Sequence, residues 1–148
     1  MPTRWIVESE EELADIVRSA RTVAVVGIKD ESDPTAPAFA IPKTLQSRGI
    51  RILPVNPKLS TVLGEPAYRD LASLLERPDV VDIFRRPDVI GALAEEILAL
   101  PPEKRPAVVW MQTGIRNDAA AERLAGAGIR VVMDRCLGVY AKRYRHTV

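Results

Sequence analysis

One cysteine, Cys136, and one histidine, His146, stand in a chain of 148 residues. A single thiol rules out an internal disulfide and a cysteine-rich metal site. A single imidazole leaves no Ser–His–Asp set away from residue 146. That histidine sits in the basic end Lys142-Arg143-Tyr144-Arg145-His146, where a solvated role is expected. No cluster of His, Cys, Asp and Glu shows metal-ligand spacing. An excess of one charge is missing too: the formal net charge is +1, so nucleic acid is not expected as a partner on that ground. No apolar run approaches the roughly 18 residues of a membrane span. The stretch Met1 to Glu12 is acidic rather than signal-like, and a soluble cytoplasmic protein is expected. Aromatic residues make up only 5% of the chain, so Ala, Val, Leu and Ile must build the core. Hydrophobic residues reach 47%, enough for a single domain over 1–148, with a core about 10–138 and a basic tail 139–148.

The apolar pattern alternates in kind along the chain. Ser9 followed by Glu12 is a capping box, and Leu13, Ile16 and Val17 give the stripe of a helix over about 10–20. "TVAVVGI" (22–28) is a buried strand. A helix over about 38–48 follows; Pro42 fits it only within the first turn, and Gly49 stops it. "IRILPV" (50–55) is the second strand. Asp70 caps a short helix, and "VVDIF" (80–84) is the third strand. Val89, Ile90, Leu93, Ile97 and Leu98 repeat at helical spacing. "AVVWM" (107–111) is the fourth strand, Asn117 caps the next helix, and "IRVVM" (129–133) is the fifth strand. No hairpin turn signal separates the strands. The fold class that follows is α/β: a doubly wound, Rossmann-like, five-stranded parallel sheet with helices on both faces. Counting strands along the chain, right-handed crossovers give 3-2-1-4-5 as the expected spatial order, with the switch point between strands 1 and 4.

The carboxyl ends of the strands share one chemistry. They read Gly27-Ile28-Lys29-Asp30, Asn56-Pro57-Lys58, Arg85-Arg86-Pro87, Gln112-Thr113-Gly114 and Asp134-Arg135-Cys136. The opposite ends carry no comparable set. A rim of Lys29, Lys58, Arg85 and Arg86 suits an anionic ligand, Arg as a planar fork and Lys as a point charge. The helix start near Ala38 would offer backbone N–H groups to a pyrophosphate. The G-x-G-x-x-G pattern is absent after strand 1, where the acidic, proline-rich "DESDPTAP" follows instead. An NAD site also wants a carboxylate at the end of strand 2; that place holds Asn56, then Pro57 and Lys58. NAD is disfavoured. A ribose carrying its own phosphate is favoured, which leaves coenzyme A or NADP.

"AVVGI", "LPVNPK", "VDIFRRP", "VWMQTGI" and "VVMDRC", in this order and spacing, resemble the small stand-alone CoA-binding domain proteins, relatives of the CoA-binding domain of the succinyl-CoA synthetase α-subunit. The match runs from about Leu13 to Leu137. The resemblance implies a Rossmann-like fold that holds coenzyme A across the strand ends. It puts Gly27, Ile28 and Lys29 by the pyrophosphate, and Asn56, Pro57 and Lys58 along the adenosine and its 3′-phosphate. Phe84, Arg85 and Arg86 would border the adenine, and Gln112 and Gly114 the pantetheine path. The prolines after strand 2 would hold Asn56 and Lys58 ready and so lower the ordering cost of binding.

The ligase relatives need a phosphorylated histidine from a second domain, which this chain lacks. Binding of CoA or acyl-CoA without catalysis is therefore expected. An NADP-linked reductase and an interaction subunit with a vestigial nucleotide site stay open. The expected partner is the small molecule, with no nucleic acid and no membrane; a protein partner or homo-oligomer stays open. Cys136 has two readings. Arg135 beside it would favour the thiolate, making it a thiol site for a mixed disulfide with CoA or for redox sensing; otherwise it is a small hydrophobe. Trp110 is expected in the core, and Asp82 as a structural hydrogen-bonding carboxylate.

Overall fold

The Ser9 hydroxyl accepts the Glu12 N–H at 3.2 Å and opens α1 (Glu10–Ser19), which buries Leu13, Ile16 and Val17. The structure is a computed structural model, and it describes residues 5–148; the start of the acidic stretch Met1–Glu12, residues 1–4, lies outside them. After α1 come β1 (Thr22–Val26), α2 (Pro37–Ser47), β2 (Arg51–Val55), a hairpin of β3 (Thr61–Val62) and β4 (Glu65–Pro66), β5 (Val80–Ile83), α3 (Ile90–Ala99), β6 (Val108–Met111), α4 (Asp118–Gly126), β7 (Arg130–Val132) and α5 (Leu137–Tyr144). The five long strands form one parallel sheet. Leu13, Phe39, Leu45, Leu137 and Tyr140 cover the face that carries Val23, Val25 and Trp110. Ile90, Leu93, Ala121 and Leu124 cover the face that carries Ala24, Val26, Val81 and Met111. Helices α1, α2 and α5 thus oppose α3 and α4, the α/β Rossmann-like class expected. Among the described residues no helix is long and apolar enough to cross a membrane.

The spatial order differs from the expected 3-2-1-4-5. Counted along the chain it is 2-1-3-4-5, in the order β2-β1-β5-β6-β7. Both orders permit right-handed crossovers; Pro54 decides between them. Arg51 and Val55 bond inward to β1, through Arg51 N–H to Arg21 O at 2.9 Å and Gly27 N–H to Val55 O at 3.1 Å. Pro54 and Asn56 face the other way, onto Tyr68. A residue without an N–H is tolerated on an edge strand but would break a ladder inside the sheet. So β2 is the edge, and the fully buried β5 takes the centre between β1 and β6. The switch point therefore lies between β1 and β5.

Three further features depart from the sequence expectations. The hairpin turns on Leu63 and Gly64 at φ 54° and 78°. A two-residue turn of this hand needs both positive, and leucine at the first place disguises it. Gln46 donates to the Leu63 carbonyl and Glu31 accepts its N–H, which holds the strained residue. Pro42 sits beyond the first turn of α2, and the Ala38 carbonyl it leaves free accepts the Lys29 N–H at 3.1 Å. The expected tail 139–148 takes in most of α5, which starts at Leu137 and buries Leu137, Tyr140 and Ala141. Arg145 then clasps the carbonyls of Val17, Arg18, Ala20 and Arg48. His146, beside it, is exposed at the amino ends of the strands.

Candidate functional site

Gly27 is where three strands meet. Its N–H bonds β2 at Val55, while the Phe84 N–H bonds the Val26 carbonyl at 2.8 Å. Its φ is +85°, and an added Cβ would lie 2.4 Å from the Phe84 carbonyl oxygen. Only glycine lets the chain leave β1 so close to β5.

Asn56 fixes the neighbouring strand end. Its Nδ2 donates to the Ile28 carbonyl at 2.8 Å, and its Oδ1 accepts the Lys58 N–H at 2.9 Å. One side chain thereby joins the loop after β1 to the turn after β2 in an Asx-type turn. Pro57 and Lys58 are left exposed on that turn.

These ends enclose a cleft of about 440 Å³. Its floor is apolar: Val26, Val55, Leu71 and Leu93. Lys29, Lys58 and Arg85 line the cleft, with Gly27, Asn56, Pro57 and Phe84, and so do Arg69, Asp70 and Glu96. Lys29 is paired with Asp33 at 3.7 Å, both exposed. Lys58 and Arg85 have no ion-pair partner among the described residues. The acidic loop that follows Gly27 satisfies its own carboxylates. Asp30 accepts from the Ser32 hydroxyl and N–H, which holds its pKa below the usual range; Glu31 accepts the Leu63 N–H, and Asp33 is ion-paired with Lys29. These three carboxylates are not among the residues that line the cleft, whereas Lys58 and Arg85 are, without ion-pair partners among the described residues.

A family model described as "CoA binding domain" matches residues 21–142. The chain belongs to that family. A curated relative, "Uncharacterized protein YneT" of Bacillus subtilis (strain 168), is 34% identical over 131 residues, which cover 88% of this chain and 93% of that protein. The solved structure of cell-free ID.343 from Thermus thermophilus is 39% identical at a TM-score of 0.83, with 93% of this chain and 99% of that one covered. A hypothetical protein from Pyrococcus horikoshii OT3 is 28% identical at a TM-score of 0.82, over 93% of this chain and 92% of that one.

In this CoA binding domain the residues expected at the site divide into two sets. Gly27, Lys29, Asn56, Pro57, Lys58, Phe84 and Arg85 line the cleft. Ile28, Arg86, Gln112, Gly114 and Cys136 do not. Ile28 is wholly buried and offers its carbonyl to Asn56. Arg86 is exposed and paired with Asp88 at 3.2 Å. The Gly114 N–H donates to Asp134 Oδ1 at 2.7 Å. Cys136 is half-buried ahead of α5, where its carbonyl accepts from Val139 and Tyr140.

Gln112 is buried on the opposite face of the sheet from the cleft floor, and its Nε2 donates to Asp82 Oδ1 at 2.6 Å. Asp82 is fully buried in the central strand. Burial pushes its pKa up to about 7, against the lowering effect of the Gln112 and Ile83 hydrogen bonds. Asp82 Oδ2 and Gln112 Oε1 have no hydrogen-bond partner among the described residues.

Sequence reasoning does not point to Val26, Val55, Arg69, Leu71, Leu93 or Glu96, and reads Asp70 only as a cap. Asp70 does cap, accepting the Ser73 N–H at 2.9 Å. Once β5 is placed beside β1, its following helix α3 flanks the switch point; that brings Leu93 and Glu96 to the cleft.

Proposed function

We propose that the cleft binds coenzyme A or an acyl-CoA, with no catalysis by this chain alone. The observation that carries the reading is the pair Lys58 and Arg85: two cations on one cleft, without carboxylate partners among the described residues. They stand where an open α/β sheet receives its ligand, at the switch point beyond the carboxyl ends of the strands. β2 ends in Asn56-Pro57-Lys58 rather than in the carboxylate that would bind a ribose diol. A phosphorylated ribose fits that end: Lys58 meets the 3′-phosphate, Arg85 the negative charge of the pyrophosphate, and the apolar floor the adenine ring. Asn56 and Pro57 hold the turn in place before the ligand arrives, which lowers the ordering cost. Catalysis is not assigned because the one histidine lies at the other end of the strands from the cleft.

Thermal unfolding with CoA, 3′-dephospho-CoA, NADP and NAD at equal concentration tests this. A ligand at 100 times its dissociation constant adds about 2.7 kcal/mol, about 5–10 °C in Tm for a chain of this size. CoA should give the largest shift, and loss of its 3′-phosphate should reduce it. Lys58→Ala should erase the difference between CoA and its dephospho form. A larger shift with NADP, or no shift with CoA, would overturn the reading.

A further inference from the structure

The cleft carries both signs of charge and an apolar floor. Lys29, Lys58, Arg69 and Arg85 supply the positive charge; Asp70 and Glu96 supply carboxylates. The two acids are not equally committed. Asp70 Oδ1 takes the Ser73 N–H at 2.9 Å, and its Oδ2 lies 3.7 Å from Arg69 Nε. Glu96 Oε1 takes the Leu71 N–H at 3.4 Å, a long bond, and its Oε2 has no partner among the described residues. Glu96 stands one helical turn after Leu93 on α3, so the two share a face; Leu93 is buried in the floor while the Glu96 carboxylate is exposed above it. A planar base resting on Val26, Val55, Leu71 and Leu93 would thus present its edge to an acceptor with a free lone pair.

We infer that Glu96 is a specificity-determining residue that selects a base carrying an exocyclic amino group over one carrying a carbonyl at the same place. This rests on the reading of the cleft as a CoA site, and it names the group that reads the base. The amino N–H donates to Glu96 Oε2; a carbonyl oxygen there would face the carboxylate lone pairs with no proton between them. A site that places an acceptor for a donor rejects the analogue that lacks the donor, because the acceptor is then left unpaired. Arg69 does not reverse the preference, since its guanidinium is drawn to Asp70.

The test compares CoA with its deaminated form, in which hypoxanthine replaces adenine and the phosphates and pantetheine are unchanged. Dissociation constants are measured by calorimetry for the wild-type protein and for Glu96→Gln. The wild type should prefer CoA by about tenfold, the order expected for one hydrogen bond to a charged acceptor. Glutamine keeps an oxygen for the Leu71 N–H and turns an N–H donor to the base, which opposes the amino group and pairs with the carbonyl, so the variant should lose the preference for CoA or favour the deaminated form, with an unchanged Tm in the absence of ligand. Equal affinities in the wild type, or an undiminished preference in Glu96→Gln, would overturn the assignment. CoA binding without base preference removes Glu96 alone; absence of CoA binding removes the CoA reading and this inference with it.

Discussion

Raising the pH should weaken the fold through one residue. Asp82 is fully buried, and its carboxyl keeps its proton up to a pKa of about 7 because burial disfavours the charged form. In the unfolded chain an aspartate titrates near 3.9. The folded state therefore binds the proton more tightly, and stability must fall as pH rises between those values. The contribution is whole below about pH 4, declines through about pH 7 and is flat beyond. Each pH unit within that window costs about 1.4 kcal/mol, so about 2.7 kcal/mol is lost from pH 5 to pH 8. Two other shifted acids, Glu10 and Asp30, are held low by their hydrogen bonds to Tyr144 and to Ser32. Their contributions disappear as pH falls below about 4.5, so they do not contaminate the window. The assay is urea unfolding at about pH 5, 6, 7 and 8, with the free energy extrapolated to water. Asp82→Asn is the control. Its amide offers an oxygen to Gln112 Nε2 and an N–H to Gln112 Oε1, the acceptor now unpartnered. The variant should lose the decline and should be more stable than wild type at pH 8. A decline that persists in Asp82→Asn would refute the reasoning, as would a wild-type stability flat across the range.

Two further outcomes follow from the packing. Gly27→Ala should destabilise by about 2–5 kcal/mol, from the left-handed backbone and the contact its Cβ makes with the Phe84 carbonyl, measured by urea unfolding; a change within 0.5 kcal/mol would show that the β1–β5 approach relaxes freely. Arg145→Ala should cost about 1–3 kcal/mol by releasing the carbonyls of Val17, Arg18, Ala20 and Arg48. Hydrogen exchange should then quicken in α5 and at the end of α1 while β5 and β6 stay protected; uniform loss of protection would contradict a local clasp.

The strands and most helices were legible because each carries its own local signal. The β-branched run 22–28 reads as a buried strand, and Ser9, Asp70 and Asn117 read as caps; all three accept the N–H three residues on. The strand order expected from the sequence, 3-2-1-4-5, is wrong, because right-handedness alone permits two answers, although Pro54 held the discriminating fact in plain view. Helix α5 was hidden by its charges. Lys142 and Arg143 look like a solvated tail, yet Leu137, Tyr140 and Ala141 make a buried stripe on the same segment. Lys29, Lys58 and Arg85 were legible because each stands shortly after a strand, where its charge is conspicuous. Leu93 and Glu96 were not, because they acquire meaning only once α3 is placed beside the switch point.

That asymmetry bears on how such a site is built. The residues that hold the cleft open and those that would touch a ligand are largely different, although they are neighbours in sequence. Asn56 uses both ends of its amide on backbone groups, one on each of two loops. Gly27 contributes the absence of a side chain, and Ile28 is buried. Lys58 and Arg85, next to these fixed points, have no ion-pair partner among the described residues. A cation on a rigid turn loses less freedom on meeting a phosphate than one on a mobile loop. Replacing Asn56 by aspartate would therefore do more harm than its size suggests: the carboxylate keeps the acceptor for the Lys58 N–H but loses the donor to Ile28, so the loop after β1 is released and a negative charge enters the rim. Replacing Lys58 by alanine removes a charge and leaves both loops tied.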